Sequence, residues 1–214
     1  VPKWVINSPK YVQREFLASY FGSEMSTPKL RKNSKCNFRA LVFKNAKIEE
    51  NIDSAKEFIS DISKMLKGFG ITLKLNKIED GNKRKDGYLT KVLVSSIENE
   101  KSKRNFFGKI GYLYDYKKDN IARLAYHYML LKQSQVIDRN KKYRLANKLR
   151  PNNKFKEISR KLNISVGMLE KWIYKTSSAG IPNNFIGFNQ WHKQNADINN
   201  GFVYDKITSI KEAY

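Results

Sequence analysis

The chain has 214 residues and a formal net charge of +22, from 42 Lys and Arg against 20 Asp and Glu. Such an excess of one sign repels itself in a compact monomer and favours a polyanionic partner, which points to nucleic acid. No apolar run approaches the roughly 18–20 residues that span a bilayer. A single cysteine, Cys36, excludes an internal disulfide framework. We therefore expect a cytoplasmic protein that binds nucleic acid and has no membrane partner.

The first predicted element is a short apolar helix over residues 10–24. Residues 16–28 carry one charge, that of Glu24. An acid near a helix C-terminus faces the negative end of the helix dipole, so it calls for an explanation. Either Glu24 is simply solvated past a core helix, or it is held at a helix–helix seam to bind a metal ion. A second backbone can approach closely on one side of this helix, where small residues recur four apart: Ala18 with Gly22, and Ser19 with Ser23.

The following elements alternate between extended and helical patterns. In chain order, they are a basic extended segment after Pro28, a strand over Lys35–Phe43, a helix from Asp53 or Ser54 to Gly68, a strand over Ile71–Ile78, a charged turn over Asp80–Gly87, a strand over Tyr88–Ser95, and helices over Ile97–Ile110 and Ile121–Val136. This order predicts the α+β class, with an antiparallel sheet that carries helices on one face.

Residues 17–25, Leu-Ala-Ser-Tyr-Phe-Gly-Ser-Glu-Met, resemble the motif that names the LAGLIDADG homing endonucleases. Residues 1–5 and 12–17 are similar to the approach to the second such motif in archaeal inteins. The resemblance implies a LAGLIDADG half-domain over residues 1–138, with Glu24 as the catalytic ligand of Mg²⁺. Ser19 and Met25 stand where the family usually has glycine, and Glu replaces the commoner Asp.

Cleavage of two DNA strands needs two acids, and the chain contains no second copy of the pattern at residues 16–24. Two copies of the chain could pair around a two-fold axis, or the partner half could lie upstream of Val1. The resemblance to a second motif favours an upstream partner half.

Another stretch, Asn105–Tyr112 followed by Lys117 and Lys118, resembles a region in which intein endonucleases carry a lysine near the active site. The resemblance implies that one of these lysines polarises the solvent or stabilises the charge of the phosphorane. The sequence does not choose between them, and an ordinary surface pair before a helix is an equal alternative.

In the family, the exposed sheet face lies in the DNA major groove, and strands can place alternating side chains along it. Most of these side chains are expected to contact phosphates or solvent, and only a few to contact bases. The candidates are Lys29, Arg31, Arg39, Lys74, Asn76, Lys83, Arg84, Lys85 and Lys91.

Residues 155–173 predict a helix-turn-helix, in which Asn163 suits a left-handed turn and Ser165 an N-cap. Its second helix would enter a major groove and contact DNA through Met168, Lys171 and Lys175. A two-helix packing module without a groove role is the alternative. The module is placed at 139–179, beginning with a basic linker over Arg139–Arg150. Residues 180–214 resemble a return to an intein splicing domain, through Phe188, Trp191 and a strand over Gly201–Ile210.

The resemblance implies a metal-dependent endonuclease, encoded in an intein, that hydrolyses both strands of a long double-stranded DNA site. Two alternatives remain open. A non-catalytic regulator resembling the bacterial sporulation family would bind promoters without cutting them, and an RNA-splicing maturase would prefer intron RNA to duplex DNA.

Overall fold

The computed structural model describes residues 1–175 and 180–204, and it contains two compact units. The first unit comprises Val1–His127 and the chain from Gly187 onward, and the second comprises Tyr128–Ile186. The division of function among modules 1–138, 139–179 and 180–214 stays a prediction.

The first unit contains a three-stranded sheet and most of the helices. Its elements are α1 (Lys3–Ile6), α2 (Lys10–Glu24), β1 (Leu41–Ile48), α3 (Ile52–Lys67), β2 (Lys74–Asp80), β3 (Thr90–Ile97), α4 (Glu100–Lys109), the first part of α5 (Tyr116–Leu149), α8 (Phe188–Asn195), β4 (Ala196–Asp197) and β5 (Phe202–Val203). The second unit contains the rest of α5, with α6 (Phe155–Leu162) and α7 (Val166–Lys175). Among the described residues, none of the helices is both long and apolar enough to cross a lipid bilayer.

The main sheet has the strand order β1-β3-β2, and both pairings are antiparallel. Because side chains alternate along a strand, Phe43 and Leu93 lie on the same face, the one that packs on the helices. The ring of Phe43 meets those of Tyr20 and Phe21 edge-on, with centroids 5.6 and 5.8 Å apart. Leu17 and Phe21 of α2 are fully buried. The α+β class expected from the sequence is therefore confirmed, with α2 seated on the sheet.

Helix α3 confirms the prediction of an amphipathic helix ending at Gly68, since its buried residues recur at the spacing of three and four. These residues are Ala55, Ile59, Ile62, Met65 and Leu66. Helix α4 begins later than predicted, at Glu100, because Asn99 caps it. The side chain of Asn99 accepts a hydrogen bond from the backbone N–H of Ser102 at 2.7 Å.

The prediction of a strand over Lys35–Phe43 is wrong in its bounds, since β1 begins at Leu41 and continues to Ile48. The chain before β1 makes only isolated bridges, one of which joins Leu30 and Phe38. Phe38 is buried through ring contacts with Phe107 and Phe188. Its burial therefore comes from helix packing, which an apolar pattern cannot distinguish from strand pairing.

The basic segment Arg139–Arg150 is not a linker, because α5 continues through it to Leu149. Arg, Lys, Leu and Ala are strong helix formers, and the first breaker is Pro151. Ala146 on this part of α5 is fully buried in a small apolar core with Ile158, Leu162 and Leu169.

In the second unit, the predicted turn geometry between α6 and α7 is confirmed. Asn163 adopts the left-handed conformation with φ of 49°, and the hydroxyl of Ser165 accepts a hydrogen bond from the N–H of Met168 at 3.3 Å. Entry of α7 into a DNA groove stays a prediction.

In the C-terminal part of the chain, Phe188 and Trp191 lie on α8 and stack with centroids 6.3 Å apart. The predicted strand over Gly201–Ile210 is represented by Phe202–Val203, which pairs with Ala196–Asp197. The remainder of that prediction, from residue 205, lies outside the described residues.

Candidate active site and nucleic-acid interface

Glu24 is the last residue of α2, and its side chain is exposed to solvent. Met25 leaves the helix in an extended conformation and bridges to Phe43, which fixes where the helix stops. The hydroxyl of Ser23 lies 3.5 Å from Oε1 of Glu24, at the limit of a hydrogen bond. The carboxylate is therefore available to a metal ion or to a partner. Within this chain it is not buried at a seam.

A second backbone does approach α2 at the small residues Ala18 and Gly22, but it belongs to the same chain. The N–H of Leu113 donates to the carbonyl of Ala18 at 3.0 Å. A Cβ built on Gly22 would lie 2.0 Å from the carbonyl oxygen of Leu113. This side of the helix is therefore closed by the chain itself, which corrects the expectation that it receives another helix.

The other small pair, Ser19 and Ser23, leaves a polar but self-satisfied surface on α2. Ser19 is half-buried and donates to the carbonyl of Glu15 at 2.7 Å, while exposed Ser23 donates to that of Tyr20 at 3.1 Å. Because both hydroxyls already bond within the helix, another helix could pack here without leaving a buried hydroxyl unsatisfied.

Lys118 is held at the same end of α2 as Glu24. Its ammonium donates to the carbonyl of Gly22 at 2.7 Å, lies 3.5 Å from that of Ser23, and pairs with Asp115 at 3.4 Å. A cation at a helix C-terminus is favoured by the dipole and satisfies orphan carbonyls. Lys117 is exposed, with its ammonium 6.0 Å from the ring centroid of Tyr116. The structure thus brings Lys118 to the motif, not Lys117.

Asp115 supports Lys118 from the start of α5. The backbone N–H of Lys118 donates to Oδ1 of Asp115 at 3.0 Å. This hydrogen bond holds the pKa of Asp115 below its usual range, and the ammonium of Lys118 lowers the pKa further.

Two tyrosines near the end of α2 were not predicted from the sequence. Tyr112 is buried and donates to the carbonyl of Ser26 at 3.0 Å, and burial raises its pKa. Burial also raises the pKa of Tyr20 to about 12, the side chain of Asn45 opposes this shift, and the charge of Glu24 adds to it. Both hydroxyls remain protonated at neutral pH. The sequence feature that could have pointed to Tyr20 is Asn45, a polar residue at an inward-facing position of β1.

At the end of α2, the carboxylate of Glu24 is the group that fits a hard cation. The carbonyls of Gly22 and Ser23 in the last turn are already engaged by the ammonium of Lys118. In residues 1–175 and 180–204, no three His, Cys, Asp or Glu side chains converge on one point. A Mg²⁺ ion bound through Glu24 would therefore need further ligands from water, from substrate or from a second acid.

The open face of the sheet carries three lysines that the register brings onto one side. Lys44 and Lys77 both pair with Val94, and Lys74 pairs with Ser96, two residues further along β3. A bulge between Leu75 and Lys77 reverses the alternation of β2, which moves Lys77 to the face of Lys74. No sequence pattern indicated this bulge, and β1 was expected to end at Phe43, so Lys44 and Lys77 were missed.

Lys91 lies on the opposite face from these lysines, between two acids. Its ammonium is 2.6 Å from Asp80 and 3.2 Å from Glu49. This position indicates a structural ion-pair cluster at the sheet end. Asn76, in the bulge, donates to the hydroxyl of Ser96 at 2.7 Å, which fixes the bulge.

The remaining predicted DNA contacts in the first unit are exposed. They lie in the segment before β1 and in the turn between β2 and β3: Lys29, Arg31, Arg39, Lys83, Arg84 and Lys85. Two are already engaged, since Arg39 donates to the carbonyl of Leu30 at 3.1 Å and Arg84 pairs with Asp86 at 2.8 Å. In the second unit, Lys171 and Lys175 are exposed on α7 and Met168 is half-buried.

Comparison with known proteins places this geometry in a family. The family model described as a LAGLIDADG-like domain matches residues 11–111, which include α2, the three-stranded sheet and α4. Residues 11–111 therefore contain a LAGLIDADG-like domain, and the resemblance drawn from residues 17–25 is confirmed.

Three relatives align with nearly the whole chain. It is 44% identical over 212 residues to the DNA-directed RNA polymerase subunit Rpo1N of Methanocaldococcus jannaschii, covering 99% of this chain and 13% of that protein. It is 30% identical over 220 residues to the tRNA-splicing ligase RtcB of Pyrococcus furiosus, covering 99% and 21%. It is 28% identical over 217 residues to the replication factor C small subunit of M. jannaschii, covering 97% and 11%. No solved structure gives a significant match.

The chain thus spans about a fifth or less of each of these three relatives. A polymerase subunit, a ligase and a replication factor have different names and activities, yet each contains a segment similar to this chain. The similarity therefore concerns one segment of each relative.

Proposed function

We propose that this chain is part of an intein-encoded homing endonuclease that hydrolyses both strands of a specific double-stranded DNA site. One observation carries the proposal. The acid of the LAGLIDADG-like motif stands exposed at the C-terminal end of α2, where Lys118 is anchored beside it. The presence of similar segments in three otherwise unrelated proteins supports an element that is inserted into its hosts.

The roles of the residues follow from their positions. Glu24 would hold Mg²⁺, which when bound supplies activation of the attacking water and stabilisation of the leaving oxygen. Lys118 fixes the last turn of α2, so that the carboxylate is presented in one place, and it adds positive charge beside the scissile phosphate. Lys44, Lys74 and Lys77 on the open sheet face would contact phosphates and set the position of the duplex.

The described residues bring no group of three His, Cys, Asp or Glu side chains together, so we expect the second catalytic acid to come from a partner half. The face of α2 with Ser19 and Ser23 is where a partner half would pack, since the neighbouring side with Ala18 and Gly22 is closed by Leu113. The partner is either a second copy of this chain or another LAGLIDADG half in the same polypeptide.

The test replaces Glu24 by Gln in the full protein and measures cleavage, with Mg²⁺, of a plasmid that carries the host coding sequence joined without the element. We expect cleavage to be lost while affinity for the same DNA stays within about threefold, because only the metal-binding charge is removed. The matched control is Glu15→Gln, an exposed acid on the same helix that pairs with Arg14. Equal activity of the two variants would remove Glu24 from the mechanism.

The alternative is a DNA-binding regulator that does not cut. It is favoured because the described residues bring no group of three His, Cys, Asp or Glu side chains together to hold a metal ion. A protein of this kind would bind a duplex site with the same sheet face and the same salt dependence. It would leave the plasmid intact with Mg²⁺ even when the full polypeptide is assayed.

A further inference from the structure

The second unit contains a cavity of about 600 Å³ beside α7 that no part of the proposed cleavage site uses. Its walls come from α5, from one face of α7 and from the segment at 180–184. The volume is typical of a site for a small ligand or for one unit of a polymer. The polar groups on its walls are Arg139, Lys171, Asn183 and Asn184, and Trp172 supplies an aromatic surface.

Arg139 is the residue that defines the chemistry of this cavity. Its guanidinium carbon lies 5.5 Å from the ring centroid of Trp172, and one terminal nitrogen lies 3.9 Å from the sulfur of Met168. These contacts orient the planar group without satisfying it. The Nε atom is buried and has no hydrogen-bond partner in the structure.

The guanidinium also lacks a counter-ion within the part of the chain that the structure describes, since no carboxylate there lies within 4 Å of it. The neighbouring acid, Asp138, instead pairs with Lys142 at 3.7 Å. Partial burial lowers the pKa of Arg139, the direction expected for a cation that is partly withdrawn from water. A guanidinium without a counter-ion at a cavity wall is suited to an anion that binds from outside.

The surroundings select the kind of anion. Residues 128–186 contain 13 Lys and Arg against three acids, a formal excess of ten positive charges. A field of this strength attracts a polyanion more strongly than a small ion. Lys171 lies on the cavity wall, and Lys175 follows one turn later on the exposed surface of α7.

We propose that this cavity binds one phosphate group of a DNA strand, with Arg139 as its ligand and Trp172 as the platform that orients the guanidinium. Two donors of a guanidinium edge match two phosphate oxygens. The inference rests on the DNA-binding part of the proposed function and is independent of cleavage.

The experiment compares Arg139→Gln with Lys142→Gln in the full protein. Lys142 is a matched control, because it lies on the same helix and removes the same charge, but its ammonium pairs with Asp138 outside the cavity. DNA affinity is measured from 50 to 300 mM salt. We expect Arg139→Gln to lower affinity about tenfold and to reduce the slope of log K against log salt by about one. Lys142→Gln should have a clearly smaller effect.

A second measurement locates the contact. Single neutral methylphosphonate linkages are placed at successive positions of the DNA, and the affinity of each duplex is measured. Wild-type protein should lose affinity at one linkage, and Arg139→Gln should be insensitive at that linkage only. Arg139→Lys keeps the charge without the planar fork, so it should recover the salt slope but not the full affinity.

Three outcomes would overturn the inference. The first is an equal effect of Arg139→Gln and Lys142→Gln on DNA affinity, and the second is the absence of any linkage at which Arg139→Gln becomes insensitive. The third is that Arg139 binds inorganic phosphate while Arg139→Gln leaves DNA affinity unchanged. The last would assign the cavity to free phosphate. Because binding is measured, a protein that binds but does not cut leaves the inference standing. If the Arg139→Gln variant cuts DNA normally and binds it with unchanged affinity, the phosphate site at Arg139 is contradicted, but the proposed cleavage function is not.

Discussion

The ammonium of Lys118 donates to the carbonyl of Gly22 at 2.7 Å and ties the start of α5 to the last turn of α2. The side chain of Lys118 is only 17% exposed, so this bond is made largely out of water. Replacing Lys118 by Met should therefore destabilise the fold by about 1 kcal/mol, through the lost hydrogen bond and the lost dipole interaction. It should also reduce DNA cleavage at least tenfold.

Lys117→Met is the control for Lys118→Met, since the side chain of Lys117 is exposed and its ammonium lies 6.0 Å from the ring centroid of Tyr116. Thermal unfolding and the plasmid assay should leave this variant close to wild type. Equal losses of stability and of cleavage in the two variants would contradict the assignment of Lys118 to the C-terminal end of α2.

A methyl group at Gly22 should be far more harmful than the loss of a hydroxyl at Ser23. A Cβ at Gly22 would lie 2.0 Å from a backbone oxygen of Leu113, which cannot rotate away. We expect Gly22→Ala to cost about 1–3 kcal/mol in the free energy of unfolding. Ser23→Ala is expected to change it by less than about 0.5 kcal/mol. Urea denaturation of both variants measures the difference, and a tolerated Gly22→Ala would show that α2 and Leu113 can separate.

The stability of the protein should fall at alkaline pH partly because of Tyr20. Its pKa is raised from 10.0 to about 12 in the folded state. The unfolded chain therefore loses this proton first, so the contribution of Tyr20 is fully present below about pH 10 and is lost as the pH rises to about 12. Tyr20→Phe should lose less stability than wild type between pH 9 and pH 11.5, measured by urea midpoints at each pH. Parallel pH profiles would contradict a buried hydroxyl at this position.

Two lysines of the sheet should respond in opposite ways to neutralisation. Lys77 lies on the open face, where it is exposed and pairs only with Glu79 among the acids of the described residues, whereas Lys91 bonds both Asp80 and Glu49 on the other side. We expect Lys77→Gln to reduce the salt dependence of DNA binding by about one phosphate contact with little change in stability. Lys91→Gln should lower the unfolding temperature and leave the salt slope unchanged. A reduced slope in Lys91→Gln would place that residue against DNA.

Much of the fold follows from local patterns in the sequence. The amphipathic spacing of α3, the left-handed turn at Asn163 and the cap at Ser165 depend on neighbouring residues, so they were predictable. The bounds of β1 were not predictable, because the apolar Phe38 is buried by distant rings on α4 and α8. The continuation of α5 was missed because basic composition was taken for a linker, although its residues favour a helix.

The candidate site divides in the same way. A motif identified Glu24, but the choice of Lys118 over Lys117 depends on which of two adjacent side chains reaches Gly22. Only tertiary structure decides that. The packing partner of Ala18 and Gly22 was also predicted wrongly. The sequence suggested another helix, but the backbone that fits against them comes from residue 113 of the same chain.

The single extra residue at Asn76 has a consequence for how the reading surface could tolerate a change in length. Because β2 is an edge strand, losing one codon there would leave the rest of the sheet paired. Without Asn76, Lys77 would follow Leu75 directly and would still lie opposite Val94, with Glu79 opposite Val92. A deletion at this one position would therefore straighten the strand while every charged group on the open face kept its side.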